Sequence, residues 1–268
     1  AKTEFCTSEY YLSREQYRGL QKHFENIELR KIMEDQMFLD CFGCDIDYSL
    51  GKNFADFADQ FSKDSRYRTE LYKLRRKFMS HADGLIHADL HTSNIMASRD
   101  KMKVIDMEFA FMGPFGYDLG YLVGNLISQY CAACFKRFPS EQNRKQFKAY
   151  LLATIKSLIE TYMKTFTLCW EKSVKERYRG QQGLLQSILQ EVMEDVPGYA
   201  SMVNWFRSVS EIPYPDFDII EDKDAKRNAT VLSLMIDWGI MFGRYKYQSA
   251  DDLIETIIGI EEEFRKSL

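Results

Sequence analysis

Apolar residues recur at helical spacing through most of this chain. A Ser13-x-x-Gln16 capping box opens a first helix that should run to about Glu25. Phe54, Phe57 and Phe61, then Leu71, Leu74 and Phe78, mark the buried stripes of two more. A nearly uncharged stretch predicts a buried helix over 117–135. Pro139 stops it and Ser140 caps the next, a long pattern reaching about Tyr178 with Leu151, Ile155, Leu158, Tyr162 and Phe166 near one face. Gly180 and Gly183 interrupt that pattern. The following helix is expected to end at Pro197-Gly198, with another over 199–209 and a loop over 210–224 that contains Pro213 and Pro215. Two helices close the chain, near 224–247 and 250–266, the last capped by Ser249 with Asp252 three residues on.

The helical pattern gives way between His81 and Lys136. Residues 85–87, 95–97 and 103–107 are short runs rich in Ile, Val and Met that read as strands, and 98–101 can turn the chain between the last two. Asp89 lies in the loop after the first strand, Asn94 opens the second, and Asp106-Met107-Glu108 closes the third. On extended chain, Asp106 and Glu108 point the same way. Two carboxylates on one face suit a hard cation that prefers oxygen ligands and keeps some of its waters. An H-x-D triplet or a D-x-E triplet alone is more often structural. In this order, joined by a hairpin, they match the apparatus of phosphoryl transfer: a loop carboxylate at the acceptor hydroxyl, then an amide and carboxylates for metal. The fold class is therefore α+β and predominantly helical, with a small β-hairpin region carrying the catalytic and metal-binding loops over about 81–136 and a helical remainder over 140–268.

The run DMEFAFMGPFGYDLGYLVGNL resembles the methylthioribose kinase family, whose metal-binding carboxylates sit in D-x-E-F-A-F-x-G-P-x-G-[FY]-D-[IL]-G. HADLHTSNIM is similar to that family's catalytic loop, HGDLHTGSIM, and both resemble aminoglycoside and choline kinases more distantly. Weaker likeness extends from Thr7-Ser8 through MEDQMFLDCF to about Asn125. The resemblance implies a protein-kinase-like fold, ATP and Mg²⁺ as cofactors, and a small sugar or alcohol as acceptor. It implies Asp89 as catalytic base, Asp106 and Glu108, joined by Asn94, as metal ligands, and Asp118 bracing the catalytic loop. His87 should bury against that loop and His91 approach the acceptor, while His23 and His81 read as surface helix residues. Departures are Ala88 for Gly, Ser93-Asn94 for Gly-Ser, and Met107 for Pro. Family members hold the acceptor with adjacent arginines late in the chain. Here the Arg-Arg pair is Arg75-Arg76, before the catalytic loop, so Arg207 is the lone candidate, with Arg227 or Arg244 as substitutes. A cationic acceptor would need aromatic groups, for which Trp170, Trp205, Trp238, Tyr245 and Tyr247 are available.

Composition narrows the alternatives. The chain has 268 residues and a net charge of −4, which argues against nucleic acid or anionic membrane as the main partner. Its longest uncharged run, from Leu119 to Phe135, falls short of the ~20 apolar residues that span a bilayer. No G-x-G-x-x-G cluster and no V-A-x-K strand precedes His87. On the resemblance, residues 1–268 are then a C-terminal lobe lacking its N-terminal partner, which predicts poor nucleotide binding by the isolated chain. Basic residues between Arg66 and Lys77 read as a solvated helix face, since Glu70 interrupts them. Six cysteines include Cys41-x-x-Cys44 and Cys131-x-x-Cys134, but 86 residues lie between the two pairs, far beyond zinc-ribbon spacing. Free thiols and a cytoplasmic setting fit better. Homodimerisation is left open.

Overall fold

The computed structural model describes residues 13–40, 52–209 and 215–268. Helices α1 (Arg14–His23) and α2 (Ile27–Gln36) lead into α3 (Lys52–Lys63) and α4 (Ser65–Ser80). The capping box at Ser13 is formed, with Ser13 Oγ accepting from Gln16 N at 3.1 Å and Gln16 returning the bond. At the start of α4, Asp64 accepts from the N–H groups of Arg66 and Tyr67. Arg66 pairs with Asp64 and Lys73 with Glu70 near the surface of α4, whereas Lys77 turns in to the buried Asp195, and Leu71, Leu74 and Phe78 are buried.

Four short strands follow: β1 (Gly84–Ile86), β2 (Ile95–Ala97), β3 (Met102–Val104) and β4 (Phe111–Gly113). β2 and β3 form the expected antiparallel hairpin, with Ile95 opposite Val104, and Ser98 N bonds Lys101 O at 2.8 Å across the turn. The third strand is shorter than its apolar run suggested. β1 pairs with β4, Leu85 opposite Met112, a strand that the sequence reading did not separate from the motif around it. The two sheets place the loops after β1 and after β3 side by side.

The remainder is helical: α5 (Gly116–Phe135), α6 (Glu141–Ser173), α7 (Gln182–Val209), the single turn α8 (Pro215–Asp218), α9 (Lys223–Gly243) and α10 (Ala250–Ser267). Ser140 caps α6 and the Ser249–Asp252 capping box opens α10, as expected. The expected break at Pro197-Gly198 does not occur; α7 runs through with Pro197 inside it. Proline there costs a backbone hydrogen bond. Val196, Tyr199, Ala200, Met202, Val203 and Trp205 are all fully buried on that helix, and this packing outweighs the local penalty. Residues 210–214 of the expected loop lie outside the described residues, as do Thr7, Ser8, Cys41 and Cys44.

Helix α5 is the buried axis of the molecule, packed on α6, α7 and α9. Its glycines recur every fourth residue and make one smooth face against α7. A Cβ at Gly120 would stand 2.7 Å from Tyr199 Cβ and 2.8 Å from Val196 O, and one at Gly124 would stand 2.9 Å from Ala200 O. The two backbones therefore meet at a distance only glycine permits. Cys131 and Cys134 are buried lower on α5, where cysteine behaves as a small hydrophobe and burial pushes both thiols up. Among the described residues no helix is long and apolar enough to cross a membrane.

Replacing Gly120 with alanine should force α5 and α7 apart and cost roughly 1–3 kcal/mol of stability, whereas Gly183→Ala, with open space around it, should be neutral or better. Denaturant melts of the two variants check this.

Candidate active site on the loops after β1 and β3

The face of α5 away from its glycines carries Asp118, Tyr121 and Asn125. Their spacing stacks them on successive turns, and each holds a different part of the loop after β1. Asp118 accepts from the His87 N–H at 2.7 Å and the Ala88 N–H at 2.8 Å. The Tyr121 hydroxyl lies near the Asp89 carboxylate and helps to keep it ionised, and Asn125 Oδ1 accepts from the Thr92 N–H at 3.3 Å. One helix face thus fixes the loop from His87 to Thr92. The same hold keeps Ala88 in left-handed backbone, with φ of 69°. This is the position where the family pattern has glycine, so here the chain carries strain that glycine would not.

His87 is buried, as expected, and ties the two loops together. Its Nδ1 accepts from Asp89 N at 3.3 Å, so Nε2 carries the proton and donates to Ile105 O at 2.8 Å. Ile105 N bonds Asn94 O at 3.0 Å, and Asn94 Nδ2 donates to Asp89 O at 3.0 Å. The residue immediately before Asp106 is therefore bonded to both ends of the loop that bears Asp89.

Asp106 and Glu108 do not sit on extended chain. β3 ends at Val104, Asp106 has a φ of 66°, and Glu108 lies in a turn. The alternation argument for a shared direction therefore does not apply to them. Asn26 fastens the turn to the start of α2, its side-chain amide donating to Glu108 O at 2.7 Å and Ala110 O at 3.3 Å. Both carboxylates are exposed, and neither forms an ion pair or hydrogen bond among the described residues. No group of three His, Cys, Asp or Glu that could hold a metal occurs among those residues. The donor set on offer is two carboxylates and, with its nitrogen engaged, the Asn94 amide oxygen. Such a set fits Mg²⁺, which takes few protein oxygens and completes its shell with water and phosphate.

Burial pushes the Asp89 carboxyl up, but hydrogen bonds from His91 and Tyr121 and the nearby charge of Arg207 outweigh it and hold it below the usual range. His91 Nε2 stands 3.4 Å from Asp89 Oδ2. Arg207 reaches the site from α7 and donates to the Tyr121 hydroxyl at 3.3 Å. The other arginine candidates do not arrive. Arg244 is buried against Glu70 at 3.0 Å, and Arg227 pairs with Asp224 on the surface. The aromatic candidates belong elsewhere too: Trp205 stacks on Phe61, Trp238 on Tyr67, and Trp170 packs with Phe166. Tyr247 is buried, and Tyr245 hydrogen-bonds Glu70.

Residues 46–158 match the phosphotransferase enzyme family, a span that includes both loops and all of α5. The chain is 31% identical over 253 residues to methylthioribose kinase of Geobacillus sp. (strain WCH70), covering 94% of this chain and 61% of that protein. It is 32% identical over 265 residues to methylthioribose kinase of Geobacillus thermodenitrificans (strain NG80-2), covering 97% and 63%. The chain is a relative of the methylthioribose kinases. It spans about three fifths of the length of these relatives. The third of them, from Geobacillus kaustophilus (strain HTA426), is 33% identical over 256 residues.

Relative to the sequence reading, the structure adds Tyr121, Asn125 and Asn26 to the residues that shape the site. The first two were signalled by their spacing from Asp118 on one helix face. Asn26 had no signal, because its partner is a backbone carbonyl far along the chain.

The strain at Ala88 gives a test. Ala88→Gly should leave stability within about 1 kcal/mol of the parent, since relief of the left-handed backbone offsets the lost methyl and the flexibility of glycine. Ala88→Val should cost roughly 2 kcal/mol or more. Thermal melts distinguish the two.

Proposed function

We propose that residues 1–268 form the C-terminal lobe of an ATP-dependent small-molecule kinase of the methylthioribose type. Its γ-phosphate acceptor is the anomeric hydroxyl of methylthioribose. The observation that carries this is the stitched pair of loops: the loop of Asp89 held by Asp118 and Asn125 of α5, and Asp106 and Glu108 left unpaired on the other. A binding relative without chemistry has no need of unpaired carboxylates beside a clamped third.

In this reading, Asp106, Glu108 and Asn94 hold Mg²⁺ with the phosphates of ATP. Bound there, the ion supplies neutralisation of charge on the transferring phosphoryl group. Asp89 accepts a hydrogen bond from the acceptor hydroxyl, aims its oxygen, and takes its proton as the new bond forms. A carboxyl held below its usual range is a weak base, and that suits phosphoryl transfer, where positioning matters more than early proton removal. His91 and Tyr121 fix the rotamer of Asp89 so that little orientation is lost at the moment of reaction. Acceptor contacts then come from His91 and Arg207.

The β2–β3 hairpin and the following loop expose Met96 (58%), Met102 (69%), Val104 (43%) and Met107 (55%) beside the site. An apolar face of this kind is the surface on which a nucleotide base and an N-terminal lobe would pack. A cytoplasmic location follows from the proposed chemistry, since ATP is the donor. A second reading, a related kinase with another hydroxylated acceptor, is favoured by one observation: Arg207 stands without a neighbouring arginine and is engaged with Tyr121. The core positions of the tryptophans disfavour a choline-like cation among such acceptors.

The deciding assay joins the chain to a nucleotide-binding N-terminal lobe and follows phosphate transfer to methylthioribose, choline and an aminoglycoside. Transfer to methylthioribose alone is expected. Asp89→Asn should lower kcat by about a thousandfold or more with little change in nucleotide affinity, and Asp106→Ala should remove Mg²⁺-dependent nucleotide binding. Equal turnover by the parent and Asp89→Asn would refute the assignment. Calorimetry on the isolated chain should show ATP binding weaker than micromolar.

A further inference from the structure

The loop after β1 has a second side. Asp89 turns toward His91, Tyr121 and Arg207, but the next residue, Leu90, lines a separate cavity of about 610 Å³ between α5 and α6. Its walls include Leu119, Leu122, Leu158 and Phe166, with Thr161 and Thr165 at an exposed rim. Asp89, His91, Tyr121 and Arg207 are not among its lining residues. The volume and the apolar lining with few polar groups are those of a small-molecule site.

One charged group lines it, and that group is Asp118, the brace of the catalytic loop. No lysine or arginine lines the cavity among the described residues. Tyr162, in its wall, sits in a negative field: burial and the charges of Asp118, Asp83 and Asp195 all push its hydroxyl up. Asp195 pairs with Lys77 at 2.7 Å, and the Tyr162 hydroxyl donates to Phe115 O at 3.1 Å.

We propose that this cavity is a second ligand site, for a small organic cation with a hydrocarbon body, its amine on Asp118 and its body against Leu90, Leu122 and Phe166. Such a ligand competes for the carboxylate that accepts from His87 N and Ala88 N, so occupancy loosens the loop that carries Asp89. The site is distinct from the acceptor and nucleotide sites, and binding to it requires neither acceptor nor nucleotide.

The test is calorimetry on the chain with phenylbutylamine and its uncharged counterpart phenylbutanol. The amine should bind about tenfold tighter than the alcohol, and exchange of the His87 and Ala88 amides should quicken several-fold when it is bound. Asp118→Asn should abolish the preference. Because that change also weakens the brace, Thr165→Trp at the exposed rim serves as a second variant, and it should block the amine without moving the melting temperature. Absence of binding at millimolar amine, equal binding of the alcohol, or undiminished binding to Thr165→Trp would each overturn the site. Unchanged amide exchange would overturn its link to the loop.

Discussion

Two backbone N–H groups bonded to one carboxylate organise the candidate site of this protein. Asp118, in the first turn of α5, accepts from His87 and Ala88 and so sets the path of the chain into Asp89. The bond is worth having only because α5 cannot shift. Its glycines lie against the backbone of α7, and α6 and α9 also pack on it. Packing made at Gly120 and Gly124 is thereby converted into position at Asp89. The left-handed Ala88 shows the hold exceeding a local cost, as does Pro197 within α7.

The second loop is held differently. Asp106 and Glu108 receive no support through their side chains; His87, Asn94 and Asn26 hold the backbone around them instead. That division has a physical sense. A carboxylate that must bind a cation is weakened by any other partner, while a carboxylate that must aim a hydroxyl gains from partners that fix its rotamer. Asp89 has such neighbours in His91 and Tyr121, and Asp106 and Glu108, the acids proposed to face the metal, have none among the described residues.

Much of this was legible in the sequence. Apolar spacing gave α3 to α7, α9 and α10 because each buries one stripe or is buried all round, and Ser13, Ser140 and Ser249 announced their helices through local capping chemistry. The hairpin was legible because 98–101 could turn between two apolar runs. What escaped depends on partners distant in sequence. Pro197 reads as a stop until the packing of α7 on α5 is known, and β4 is invisible until β1 lies beside it. The brace Asp118 was reached through the family pattern, whereas Tyr121 and Asn125 needed only the helical spacing from it. The extended backbone expected at Asp106 and Glu108 is not found, since the chain turns left-handed at Asp106 and Glu108 lies in a turn. Arg207 reaches the Tyr121 hydroxyl from α7, a contact between distant helices that sequence spacing does not reveal.

The central claim is that the loops after β1 and β3 act as one centre. The most direct measurement is a crystal structure of the chain joined to a nucleotide-binding N-terminal lobe, with Mn²⁺ in place of Mg²⁺ and a non-hydrolysable ATP analogue. The account predicts anomalous density between Asp106 and Glu108, with the terminal phosphate between that ion and Asp89. Metal density at other residues, or a terminal phosphate remote from Asp89, would contradict it.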